Sequence, residues 1–104
     1  MGRPLRPLTP QASAGHRFGA ELRRWRLARH VTQRALAQRV WHNQEILAKV
    51  EKGDRWPSWD LATRCDAALS TGGQLAALWP HVECERLARD RRRKKRKVSA
   101  EKPR

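Results

Sequence analysis

Apolar residues through the middle of the chain recur at intervals of three and four, the spacing of one face of an α-helix, and nowhere alternate as a strand would. Periodicity starts at His16. Phe18, Leu22 and Trp25 stand at i, i+4 and i+7 and predict a first helix, with Arg17, Glu21, Arg24 and Arg29 on its other faces. A second helix is expected after Thr32, a residue type that can cap a first turn, with Leu36, Ala37 and Val40 facing inward. A third follows Asn43, another capping residue. It buries Leu47 and Val50 and closes at Lys52-Gly53, where glycine can take the left-handed conformation. Pro57-Ser58 opens a fourth, with Asp60 well placed for the helix dipole and Leu61, Ala62, Cys65, Ala68 and Leu69 as its inner stripe. Thr71-Gly72-Gly73 breaks the chain, and a short fifth helix from Gln74 to Trp79 is expected to end at Pro80.

These elements predict an all-α fold, a compact five-helix domain over residues 15–80. Pro4, Pro7 and Pro10 favour extended backbone, so residues 1–14 read as a flexible arm. Residues 81–104 read as a basic tail. Its first part, 81–90, has the spacing to extend a helix, with Glu85 and Arg89 one turn apart. The remainder, RRRKKRKVSAEKPR, cannot bury a face and is expected to be disordered when unbound.

Charge changes the picture. The chain of 104 residues carries a formal +14, unevenly spread: net +2 over residues 1–15, +5 over 16–80 and +7 over 81–104. A small chain this basic belongs near a polyanion, and the charge is blocked in the tail instead of interspersed as solubility alone would have it. Two cysteines, Cys65 and Cys84, make no disulfide framework. The first residues lack the apolar core of a signal peptide, and no run approaches a membrane span. A cytoplasmic, nucleoid-associated chain with no membrane partner is expected.

The second and third helices, joined by a few residues, have the parts of a helix-turn-helix. A major groove about 12 Å wide admits one helix, and a preceding helix must hold it at the right pitch. Ala37 is small where two axes must approach; Leu36, Leu47 and Val50 lock the pair. Here the chain resembles the lambda-repressor-like, Xre-type helix-turn-helix regulators. The resemblance is carried by FGAELRRWR, TQRALAQRV, NQEILAKVEKG, RWPS and GGQLAALWP, in the family's order and spacing over about 60% of the chain.

The resemblance implies double-stranded DNA as partner; because one such helix reads only a few base pairs, a homodimer is the expected binding form. It puts Gln44 and Glu45 at the base-reading positions, with Ala48 and Lys49 one turn later. Gln33 would contact a phosphate at the start of the second helix, with Thr32, Arg34, Asn43, Lys52 and Arg55 as further phosphate contacts. Arg26 and Glu51 would form a structural ion pair that can also orient the arginine towards phosphate. A glutamine amide can bond bidentately to adenine, and a carboxylate can accept from cytosine N4. The basic residues Arg91, Arg92, Arg93, Lys94, Lys95, Arg96 and Lys97 would follow phosphates without sequence preference.

Three departures mark the motif. Trp41 stands where the family has glycine, His42 where an aliphatic residue packs, and Glu45-Ile46 where small polar residues usually face DNA. One expectation is a remodelled turn in which Trp41 fills the buried slot, His42 faces out and Ile46 meets a thymine methyl. The alternative is a scaffold that has lost base reading and serves as a protein-interaction module, tethered to nucleic acid by its tail.

Other candidates fall away. KKRKV resembles a nuclear-import signal, read here as accidental, and Gly2-Arg3-Pro4 is only a fragment of a minor-groove hook, though Arg3 and Arg6 suit an arm lying there. His81, Cys84 and Cys65 lack the paired spacings of a zinc site, so no metal or cofactor is expected. Trp25 and Trp79 read as core; Trp56 and Trp59 flank Pro57 in a loop, free to pack, to stack on sugar or to meet a second copy. No nucleophile–base pair, phosphate loop or paired carboxylates mark an enzyme. Structured RNA suits the motif poorly, its deep major groove being too narrow for a helix.

Overall fold

The computed structural model describes residues 13–100, with side chains to Lys94. Most of the arm, the side chains of Lys95, Arg96 and Lys97, and residues 101–104 lie outside the described residues. Five helices form the domain: α1 (Ala14–Ala28), α2 (Gln33–Arg39), α3 (Gln44–Lys52), α4 (Trp59–Leu69) and α5 (Gln74–Ala100), with no strand among the described residues. Each of the first four starts on a polar cap. Ser13, Thr32, Asn43 and Ser58 accept from backbone N–H groups of the turn they open.

The same four helices also end alike. Each finishes with a bond from an N–H back to the carbonyl five residues earlier: Val31 to Arg26, His42 to Ala37, Asp54 to Lys49 and Thr71 to Asp66. That closure needs one left-handed residue just before the donor. The four are His30 (φ 56°), Trp41 (61°), Gly53 (81°) and Ser70 (52°), so glycine serves only once.

One core joins all five helices, built on Phe18 and Leu22 of α1, Leu36 and Val40 of α2 and its cap, Leu47 and Val50 of α3, Leu61, Cys65 and Leu69 of α4, and Leu75 and Val82 of α5. Burial pushes the Cys65 thiol up to about 12, with the nearby Asp66 and Glu51 charges adding to it. Gly19 sets the closest approach. A Cβ there would run into the backbone carbonyls of Val50 and Glu51, so α1 lies directly against the end of α3. Trp25 is half-buried, with the Arg24 and Arg29 guanidiniums over its ring, 5.1 and 5.2 Å from the ring centre.

The expected stop at Pro80 is corrected. The fifth helix runs through it to Ala100. Proline forfeits one helical bond and crowds the preceding turn, at a cost of about 3 kcal/mol, but Pro80 is exposed and the turns beyond it are anchored. Val82 is fully buried, Glu85 accepts from the Ala14 N–H at 2.9 Å, and Arg89 lies over Trp56. Glu85 and Arg89 therefore serve separate tertiary contacts, and the intrahelical pairs are Arg86 with Glu83 and with Asp90. Arg91 to Lys94 are helical and exposed, with no buried face.

Asp66 fastens α5 to α4 from inside. It accepts from Thr71 Oγ1 and, at 2.8 Å each, from the Leu75 and Ala76 N–H groups, so a buried carboxylate caps the first turn of α5.

Candidate nucleic-acid interface

Helix α3 is oriented by its buried side. Leu47, Val50 and Glu51 face the core, and Ala48 and Ile46 are half-buried. With Leu47, Val50 and Glu51 inward, Gln44, Glu45, Lys49 and Lys52 are left exposed on the opposite side. Gln44 and Glu45 form the first turn, directly after Asn43. Asn43 Oδ1 accepts from the N–H groups of Glu45 at 2.7 Å and Ile46 at 3.2 Å. Its side-chain oxygen is thus engaged as a cap. Ile46 packs against the core and does not stand out towards a thymine methyl.

An ion pair with a glutamine bonded to it holds α3 in place. Arg26 Nε donates to Glu51 Oε2 at 2.7 Å and Nη2 to Oε1 at 3.1 Å. Its Nη1 donates to the Val31 carbonyl at 3.0 Å. Gln33 Nε2 donates to the same Glu51 at 3.0 Å. Three helices therefore meet at one carboxylate: the end of α1, the start of α2 and the end of α3. Arg26 is buried, so it is held inside the domain instead of being turned towards phosphate. Gln33 is half-buried and committed to Glu51 through its amide nitrogen.

The remaining proposed contacts surround α3. Thr32 and Arg34 at the start of α2 are exposed, Thr32 also capping by accepting from the Ala35 N–H at 3.0 Å. Lys52 and Arg55 are exposed beyond the carboxyl end of α3. Among the described residues, Arg34, Lys52 and Arg55 have no acidic partner within 4.0 Å. Glu45 approaches Lys49 at 3.6 Å, an exposed pair that contributes little to stability and leaves both groups free to exchange partners.

The turn departs from expectation. Trp41 does not fill the buried slot; it keeps the left-handed backbone of the residue it replaces and is 84% exposed, while His42 is half-buried. The reason lies in the backbone. The His42 N–H reaches the Ala37 carbonyl at 2.9 Å, and the fully buried Val40 already occupies the inner position. With the turn fixed from both sides, the Trp41 Cα–Cβ bond can point only outwards.

Several residues that matter to this frame escaped the sequence reading. Gly19 had a signal: two glycines four apart, Gly15 and Gly19, on the buried stripe of a helix whose interior they weaken. Asp66 and Arg29 had none, because their partners are remote. Arg29 donates to the carbonyls of Leu69 at 2.8 Å and Ser70 at 3.0 Å, closing the end of α4. The tryptophans divide: Trp59 opens α4 and stands edge-on to Trp79, whose Nε1 donates to the Pro57 carbonyl at 3.0 Å, while Trp56 packs on the core.

Among the described residues no group of three or more His, Cys, Asp or Glu could hold a metal ion, and no helix is long and apolar enough to cross a membrane. A family model described as a helix-turn-helix domain matches residues 17–79, well over half of the chain. No curated protein and no solved structure matches it.

Proposed function

The chain belongs to the helix-turn-helix domain family, and on that premise we propose that it binds double-stranded DNA with sequence preference and acts in transcriptional control. The observation that carries this reading is the pose of α3. Its carboxyl end is fixed through Glu51 and Gly19, its inner face is buried, and Gln44 and Glu45 stand exposed on its first turn. That is the arrangement a helix needs to enter a major groove by its amino end.

Gln44 reads adenine through its amide and Glu45 accepts from cytosine N4, with Lys49 released to a phosphate as the carboxylate finds its base. Ala48, half-buried one turn later, allows close approach of the helix to the groove floor. Thr32, Arg34, Lys52 and Arg55 set the register on the phosphates, and the basic end of α5 adds affinity without preference. One helix reads only a few base pairs, so the binding form is a homodimer with half-sites about 34 Å apart. The role is binding, without catalysis, in the cytoplasm at the nucleoid.

Selection from random duplexes with the full-length chain tests this reading. A palindromic motif with half-sites one helical turn apart supports it. Recovery of unrelated sequences at equal affinity reduces the chain to an unspecific cation.

A further inference from the structure

We propose that the groove between the α2–α3 turn and α4 is a docking site for an acidic peptide segment of a partner protein, anchored there by an apolar side chain. The groove has a volume of about 470 Å³ and is lined by Arg39, Trp41, Arg64, Ala67 and Ala68. One exposed indole, two small apolar side chains and two exposed arginines therefore share its lining.

Trp41 carries the proposal. It is a bulky residue held at φ 61°, a conformation costing about 1–3 kcal/mol, and it is 84% exposed. The backbone conformation is held by the closing bond from the His42 N–H to the Ala37 carbonyl, which glycine would serve at no such cost. Among the described residues no second ring and no guanidinium stacks on the indole itself. A lining of aromatic and small apolar side chains together with arginines has the make-up of a protein-binding hot spot, where Trp and Arg are enriched.

The lining arginines select the occupant by charge. Arg39 has no acidic partner within 4.0 Å among the described residues; Arg64 pairs with Asp60 at 3.0 Å and donates to the Val40 carbonyl at 3.3 Å. A second copy could bring to this groove only the same two arginines, and like charge opposes that contact here, whatever surface joins the copies on DNA. Residues 1–12 contain two arginines and no acid and gain nothing there. A small molecule would leave most of its surface in water in so open a groove. No residue of α3 lines it. An acidic segment is also steered in by the net charge.

The test is a displayed library of short random peptides, panned on the full-length chain with duplex DNA in excess to fill the phosphate-binding surface. Selected peptides are then titrated into wild type, Trp41→Gly and Arg39→Glu, following the indole N–H resonance that Trp41→Gly removes. The expected consensus sets an aromatic or aliphatic residue beside acidic ones and moves that resonance. Binding to either variant is expected to fall about tenfold or more, the scale of one hot-spot side chain, while Trp41→Gly keeps duplex affinity within about twofold of wild type. The proposal is overturned by enrichment of no such consensus, or by equal peptide binding to Trp41→Gly. Loss of about tenfold in duplex affinity on Trp41→Gly overturns it too, and gives the groove to nucleic acid.

Discussion

Arg26 and Glu51 are joined by two hydrogen bonds, 2.7 and 3.1 Å, in a site where the arginine is 9% and the glutamate 3% exposed. A pair this deep holds geometry more than it adds stability, because both charges lose their water. Removing one partner is another matter, since the survivor is then buried alone. Glu51→Ala is expected to destabilise the domain by about 3–5 kcal/mol, whereas Arg26→Met combined with Glu51→Leu costs far less. Urea unfolding of the single and double variants checks this. Near-equal losses in both would mean the pair is not the buried charge couple described.

Gly19→Ala distinguishes close packing from helix propensity. On an open helix face the change stabilises by up to about 1 kcal/mol. At this position the added methyl meets the carbonyls of Val50 and Glu51, and α1 must move off α3. A loss of about 1–3 kcal/mol is expected, the usual scale of overpacking. A raised midpoint in urea would show that the two helices do not touch as described.

Trp41→Gly is expected to stabilise the chain. The left-handed backbone stores about 1–3 kcal/mol, glycine removes it, and the entropy of the freer unfolded chain takes back part of the gain. The net rise is about 1 kcal/mol, read in the thermal or urea midpoint. A fall in stability would indicate that the indole packs in solution.

The helices were legible because their signals are local. Apolar spacing and the caps Thr32, Asn43 and Ser58 all act within one turn of the residue that carries them. Gly53 was legible for the same reason. The ends at His30, Trp41 and Ser70 were not, since the cue for that closure is glycine and here the hydrogen bonds impose it on other residues. Pro80 misled because a local penalty was outweighed by remote anchors: Val82 in the core and Glu85 on Ala14. At the candidate site, the outward pose of Gln44 and Glu45 stems from the spacing of Leu47 and Val50. That Gln33 and Arg26 are tied to Glu51 depends on three helices meeting, which no single segment encodes.

The two thiols should behave oppositely. Cys84 is exposed and reacts with an alkylating reagent in the native chain, while Cys65 reacts only on unfolding. Burial raises the Cys65 thiol from 9.0 to about 12. The unfolded chain therefore releases this proton first as pH rises through that interval. Below about pH 9 the contribution is constant; above it stability falls, by up to about 1.4 kcal/mol per pH unit. Mass analysis of labelled native and unfolded protein checks the first point, and urea midpoints of wild type and Cys65→Ala across alkaline pH the second.

The proposal that α3 reads bases is tested most directly by one titration. Full-length wild type and Gln44→Ala are measured against the best duplex recovered by selection and against a scrambled duplex of the same length, at one salt concentration. Gln44→Ala should lose about 1–3 kcal/mol, roughly five- to 150-fold, on the selected duplex and almost nothing on the scrambled one. Equal affinities of the two proteins for the selected duplex, or equal losses on both duplexes, would contradict a base-reading role for the amino end of α3.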